Sequence, residues 1–466
     1  MNIFDVTNYG AVGDGIRDNA RAIQNAIDEC SKTGGMVYFP GSNTFMTGPF
    51  DLKSNVNLFV EAGAVVLANP DESVYTKSAF KENLGEGTIW IGGENSENVT
   101  ISGRGIIDGN GIAFMGPEEK AAYSLKPFDV VDPRPHLLTI VNIKNLLIRD
   151  VTFRNSAYWC LHIIGCNDVR IESVTILNHL KIRNGDGIDI DHSRNVRISN
   201  CYIESGDDCI CFKTRREYEE HGPTENVIVS NCIMTSTSCS IKLGSENMDA
   251  IRNVVVTDCI IKSSNRGIGI QNRDEGIVEN ILFKNITVEG RLFDDVWWGK
   301  AEPIYVTAYK RQASTHKDSN VRFAKGQTVG RVGKVSRIFF DNIKCDSENG
   351  VFIGGEEDKV TQIKIENSSF KIVKKTNYEA GIYDLRPSDT VGLLKDGISA
   401  IYIDTAKDIT INNCSVEWND DHSIPFKKIV FAKDVENLSV KNVSGNSTKA
   451  DSDKMEFLNC ENLSIE

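Results

Sequence analysis

Three aspartates carry the strongest chemical signal in the chain. Asp186 precedes Asp207 by 21 residues and Asp208 by 22. One turn of a coil between them would place all three on neighbouring strands, about 4.8 Å apart. Like charges that close disfavour one another's ionised forms, so stability alone does not keep such a group. Two uses fit. A protonated carboxyl can donate to a leaving glycosidic oxygen while a carboxylate activates water. Alternatively, three carboxylates can hold Ca²⁺ through oxygen. An inert reading stands beside them: Asp and Asn are frequent in turns, and a solvated turn ladder has the same composition.

The elements that must position these acids are legible as a repeat. Units of the form Asn/Asp-apolar-x-apolar-x-Asn-x-x-apolar begin at Asn98, Asn145, Asp168, Asn195, Asn226, Asn253 and Asn280. Weaker copies begin at Arg337, Gln362, Asp408 and Asn437. From Asn145 onward the starts differ by 23, 27, 31, 27 and 27 residues. Period-2 alternation within each unit marks strand. A strand-based repeat of about 25 residues marks a right-handed parallel β-helix, an all-β solenoid. Cys201, Cys232, Cys259 and Cys414 share one repeat position and are expected to point inward. Before the repeats, Ile23, Ala26, Ile27 and Cys30 follow helical spacing. Asp18 or Asn19 can cap that helix, and Gly34-Gly35 can end it. An N-terminal cap over about residues 1–40, built on this α-helix, is therefore expected to close the open end of the sheet. The expectation is one domain over 1–466, interrupted by a basic insertion at about 291–336.

Charge and composition exclude other classes. The net charge is −13, from 52 Lys and Arg against 65 Asp and Glu, which argues against nucleic acid as a partner. No apolar run is long enough to span a membrane. The 12 cysteines include no CxxC pair, so zinc sites and a disulfide scaffold are not expected. The N-terminus lacks the basic start and apolar run of a secretory leader. That reads as cytoplasmic, or as secreted if a leader was removed. Between Lys310 and Lys334, seven Lys or Arg face one acid, Asp318, and this +6 stretch could steer an anionic substrate.

Aligning the repeats by apolar residues gives two inward columns. The first is Leu161, Ile188, Ile210, Ile241 and Ile268; the second is Ile163, Ile190, Phe212, Leu243 and Ile270. Alternation then puts His162, Asp189, Cys211, Lys242 and Gly269 on the outer face. Trp159, Asn184 to Asp186, Gly206 to Asp208, Ser238-Cys239 and Arg266 lie just before these strands.

The stretch NGDGIDIDHSRNVRISNCYIESGDDCICFK resembles the active-site strand pair of polygalacturonase-like glycoside hydrolases, family 28. That family has Asn-Thr-Asp-Gly and, about one coil later, Gly-Asp-Asp. YGAVGDGIRDNARAIQNAID and SAYWCLHIIGC resemble further family segments, so the likeness runs from about Asp5 to Tyr309. The resemblance implies that Asp207 is the general acid and that Asp186 and Asp208 hold and activate water. It implies inversion at the anomeric centre and no cofactor or metal. The sequence departs from the family in three places. Asn-Gly-Asp replaces Asn-Thr-Asp. Ser238 or Cys239 stands where the family has the histidine of Gly-His-Gly. Gly269 and Gln271 replace the Arg and Lys that grip a galacturonate carboxylate. Lys242, one rung from Gly269, together with Arg266 and Arg273, is expected to compensate.

Substrate contacts are accordingly expected from Asn184, Trp159, His162, Asp189, Lys242, Arg266, Gln271, Arg273 and Tyr305. The implied activity is hydrolysis of uronate-containing pectic oligosaccharides. Exo-action is expected because the absence of a leader favours small imported oligomers. The alternatives are a hydrolase for rhamnogalacturonan or another pectic side-chain linkage, a Ca²⁺-dependent polysaccharide lyase, and a non-catalytic β-helix binding protein. The oligomeric state is not readable from the sequence.

Overall fold

The structure is a computed structural model that describes residues 2–80, 87–118, 125–312, 330–418, 426–446 and 454–466. Much of the basic insertion expected at 291–336, residues 313–329, lies outside the described residues. The fold is a parallel β-helix with an N-terminal α-helix. The chain divides into two compact units, Met1–Cys211 with Glu217–Cys232, and Phe212–Arg216 with Ile233–Glu466.

In the first unit, Ile3–Asp5, Gly35–Phe39, Val56–Val60, Gly87–Gly103 and Arg134–Arg149 pair successively in parallel. Arg134–Arg149 continues into two ladders. One runs through Leu161–Ile164 to Ile188–Asp191. The other runs through Asn167–Glu172 and Arg194–Ser199 to Thr224–Ser230. A further face stacks Ile106–Asp108, Thr152–Arg154, Thr175–Leu177 and Tyr202–Ser205. In the second unit, Cys239–Asn247, Arg266–Asn272, Glu302–Ala308 and Val351–Gly355 pair in parallel. That ladder continues into Ile401–Trp418 and Val430–Asn446. Ile382–Asp384 and Leu393–Lys395 form an antiparallel pair.

The helix is Ala20–Thr33, and Ile23, Ala26, Ile27 and Cys30 are its buried face. It touches the strands Ile3–Asp5, Gly35–Phe39 and Phe50–Leu52, where it covers the first coils. Of the two candidate caps, Asp18 accepts the Ala20 N–H at 2.8 Å. The Asn19 amide instead donates to the carbonyls of Val12, Arg17 and Met46.

The repeat's leading Asn or Asp has a conformational cause. Asn98, Asn145, Asp168, Asn195 and Asn226 all sit at φ between 55° and 58°. Among non-glycine residues, Asn and Asp enter this left-handed region at least cost. Their amides also bond along the coils, as in Asn145 to Asn98 at 2.8 Å and Asn280 to Asn253 at 2.7 Å. The four repeat cysteines are buried as expected, each donating its thiol to the carbonyl two residues earlier. Burial pushes the Cys414 thiol up to about 11, which fits a packing role.

Candidate active site

The acids are set by strand register. Leu161 pairs with Ile188, and the Ile188 N–H donates to the Cys209 carbonyl, so Ile210 follows in the same inward column. Trp159, Asp186 and Asp208 each stand two residues before these positions. One carboxylate oxygen each from Asp186, Asp207 and Asp208 lies within 4.8 Å of the other two. Asp186 and Asp208 are buried, whereas Asp207 is half-buried and so accessible to a substrate.

Small residues and amides shape this corner. Asn184 has φ 57°, and its N–H donates to Asp207 Oδ2 at 3.3 Å. The Asn178 amide donates to the carbonyls of both Gly185 and Asp186 at 3.1 Å. Gly206 permits the close approach of the coils, since a Cβ there would stand 2.2 Å from the Ile182 carbonyl oxygen. Three clustered carboxylates of unequal exposure can divide proton donation from water activation. The same oxygens are the donor type for a divalent cation, although Ca²⁺ takes six to eight such ligands.

His162 pairs with Asp189 in register, as expected, but both are fully buried. Their face of the coil is covered by the chain itself. Phe80, His136, Tyr158 and Trp159 pack together there, and the Tyr218 hydroxyl donates to the Ala79 carbonyl at 3.1 Å. Trp159 meets the His162 ring edge-on at 4.8 Å, and His162 Nε2 lies 3.2 Å from Asp191 Oδ2. Outward from the coil therefore does not mean open to solvent here.

In the second unit, Lys242, Gly269 and Tyr305 align across three strands. The space above Gly269 is filled, but not by Lys242. A Cβ at Gly269 would meet Cys239 Sγ at 2.9 Å and Arg266 Cδ at 3.1 Å. Arg266 is buried, forks onto Glu302 at 3.1 and 3.2 Å, and lies 3.7 Å over the Tyr305 ring. Lys242 Nζ lies 5.5 Å from the ring centroid of the half-buried Trp298. Arg266, Arg273 and Gln271 donate to three successive carbonyls, of Asp384, Leu385 and Arg386. Arg273 also bonds the Tyr305 hydroxyl and Thr307 Oγ1, and burial pulls its guanidinium below its usual range. The two arginines thus hold a strap of the chain's own backbone, a use not expected from the sequence. Tyr305 is buried in an aromatic cluster with Phe352, Tyr383 and Tyr402.

The family model for glycosyl hydrolases family 28 matches residues 39–297, more than half of the 466-residue chain. The chain belongs to glycosyl hydrolases family 28. A probable polygalacturonase of Vitis vinifera is 32% identical over 269 residues, covering 53% of this chain and 52% of that protein. The exo-poly-alpha-D-galacturonosidase of Dickeya chrysanthemi is 26% identical, over 52% of this chain and 47% of its own length. The chain spans about half the length of the curated relatives it matches. The family 28 exopolygalacturonase of Yersinia enterocolitica shares the fold, with a TM-score of 0.71 at 17% identity. That likeness covers 100% of this chain and 79% of the other.

Asp186, Asp207 and Asp208 fall inside the matched region, as do Gly269 and Gln271. Sequence reading missed Arg134, Asn178 and Asp191, and it missed the strap at Asp384 to Arg386. Arg134 opens its strand as an ordinary surface cation would, and apart from Asp132 its hydrogen-bond partners are 23 to 50 residues away. The strap lies more than 110 residues from Arg266 and Gln271, outside any local pattern.

Proposed function

We propose that this chain is an inverting glycoside hydrolase that cleaves galacturonate-containing oligosaccharides, attacking from a chain end. The observation that carries the reading is the set of three aspartate oxygens within 4.8 Å, one of them on a half-buried residue. Asp207 donates its proton to the glycosidic oxygen as the bond to the anomeric carbon breaks. Asp186 and Asp208 hold a water, take one of its protons, and direct its oxygen to that carbon from the opposite face. The leaving sugar departs as an alcohol, and the new hemiacetal carries the inverted configuration. Solvent then returns a proton to Asp207 and accepts one from the pair.

Family membership and the names of the relatives support galacturonate as the sugar and exo-action as the mode. Inverting enzymes usually separate their two carboxyl groups by about 6.5–9.5 Å and retaining ones by about 5–5.5 Å. The 4.8 Å grouping is a nearest-oxygen separation within a group of three acids, so that two-carboxyl rule does not choose between the outcomes. Inversion follows from the family resemblance of the paired aspartate motifs. The experiment is incubation with galacturonate oligomers, read by product mass, by ultraviolet absorbance and by NMR of the first-formed anomer. Loss of one residue per turnover, with inversion and no absorbance, is expected in EDTA. An absorbing, unsaturated product that needs added Ca²⁺ would establish the lyase alternative instead.

A further inference from the structure

We propose that Arg134 is a positioning residue of the hydrolytic site, acting through Asn184 on the acid Asp207; this rests on the hydrolase reading above. Arg134 is 1% exposed. Its Nη1 donates to the carbonyls of Ala157 at 2.9 Å and Arg183 at 2.7 Å. Its Nη2 donates to Asn184 Oδ1 at 3.1 Å, and its Nε pairs with Asp132 at 2.8 Å. The guanidinium carbon lies 4.5 Å over the ring of Tyr158. One planar fork thus ties two successive coils together at the turn that carries Asp186. Lysine, a single point charge on a flexible stem, has no such fork.

The turn is held by its own Gly185 N–H to Ile182 carbonyl bond, by Asn178 and by Arg134. Asn184 is in the left-handed region, and its main-chain N–H reaches Asp207 Oδ2. Arg134 holds the side chain of Asn184 and the carbonyl before it, while Asn178 holds the two carbonyls after it. Releasing the Arg134 end frees Asn184 to rotate and removes a donor from the carboxyl that must meet the leaving oxygen. Misplacing a catalytic group by about 1 Å costs on the order of 10²-fold in rate.

A residue that acts through the general acid has a signature that a packing residue lacks. A sugar alkoxide needs protonation to leave, whereas a dinitrophenolate does not. Arg134→Met and Arg134→Lys are assayed on a galacturonate oligomer and on its 2,4-dinitrophenyl glycoside, with thermal unfolding of each. On the oligomer, kcat is expected to fall about 10- to 100-fold in Arg134→Met and less in Arg134→Lys, with KM little changed. On the aryl glycoside both variants should stay within roughly threefold of the wild type. Equal losses on both substrates, a change confined to KM, or full activity in both variants would overturn the proposal while leaving the hydrolase reading intact. If Arg134→Met does not fold, Arg134→Lys carries the same comparison. A wild-type protein that hydrolyses neither substrate would overturn the hydrolase reading itself.

Discussion

At the scale of single residues, the acids make the sharpest demand. Asp207→Asn keeps the shape of the side chain and removes its proton. Turnover should fall by about 10²–10⁴ with unchanged thermal unfolding, as read by release of reducing sugar. Near-normal activity in a folded Asp207→Asn protein would remove Asp207 from the mechanism. Lys242 makes a different demand. Arg266 and Arg273 hold internal partners, and the contact proposed for a substrate carboxylate is Lys242, which pairs in register with Gly269 and lies beside Trp298. A charge-assisted contact is worth about 1.5–3 kcal/mol. Lys242→Ala should therefore lose about 10- to 100-fold in kcat/KM on a galacturonate oligomer and little on its carboxyl-reduced analogue. Equal losses on both would mean that the lysine grips no carboxylate.

The strap at Asp384 to Arg386 shows how elements answer a changed motif. Introducing the arginine of the family pattern by Gly269→Arg should destabilise the fold without a gain in activity, because Cys239 Sγ and the Arg266 stem already occupy that space. Overpacking of this kind costs about 1–3 kcal/mol, visible as a lowered melting temperature. Glu302→Gln should cost more, about 3–5 kcal/mol, because it leaves the buried Arg266 without its counter-charge. A second buried carboxylate links an element to pH. Glu348 accepts the N–H groups of Leu292, Lys375 and Thr376 and the Lys374 ammonium at 2.7 to 2.9 Å. Burial opposes its charge, but those donors outweigh burial and hold it below its ordinary value of 4.5. Its contribution is therefore complete above about pH 4.5 and is lost as pH falls through the lower folded value. Glu348→Gln should be less stable than wild type near neutrality, by about 1.5–3 kcal/mol, and the gap should close in acid. A gap that persists below that range would show that lost packing, not charge, is responsible.

For the whole molecule, the question is how an acidic protein would meet the anionic substrate proposed for it. The net charge of −13 repels a uronate oligomer at long range. Two cations of the basic stretch are committed internally: Arg311 to Asp274 at 2.8 Å and Lys310 to Asp389 at 3.1 Å. The other five cations of the stretch are Lys317, Arg322, Lys325, Arg331 and Lys334, and steering is proposed from the first three on charge alone. Replacing those three by Gln should raise KM severalfold at about 0.01 M ionic strength and leave it unchanged near 1 M, where the Debye length is about 3 Å. A salt-independent rise would mean direct contact with the substrate. Among the described residues, no helix is long and apolar enough to cross a membrane.

The coil repeat, the capping helix and the aspartate rungs were legible from the sequence because each is a local rule repeated many times. Alternation sets the inward columns, a left-handed turn selects Asn or Asp, and a spacing of one coil aligns Asp186 with Asp208. What covers the outer face of those coils was not legible. His162 and Asp189 face outward from their strands as alternation requires, yet both are buried, and Trp159 and Tyr218 pack against the His162 ring. Arg266 and Arg273 read as substrate-gripping cations, yet they hold a strap more than 110 residues further along. Local periodicity determines which way a side chain points. Only the tertiary structure decides whether solvent, a substrate or the chain's own backbone meets it, because that choice is made by contacts between segments remote in sequence.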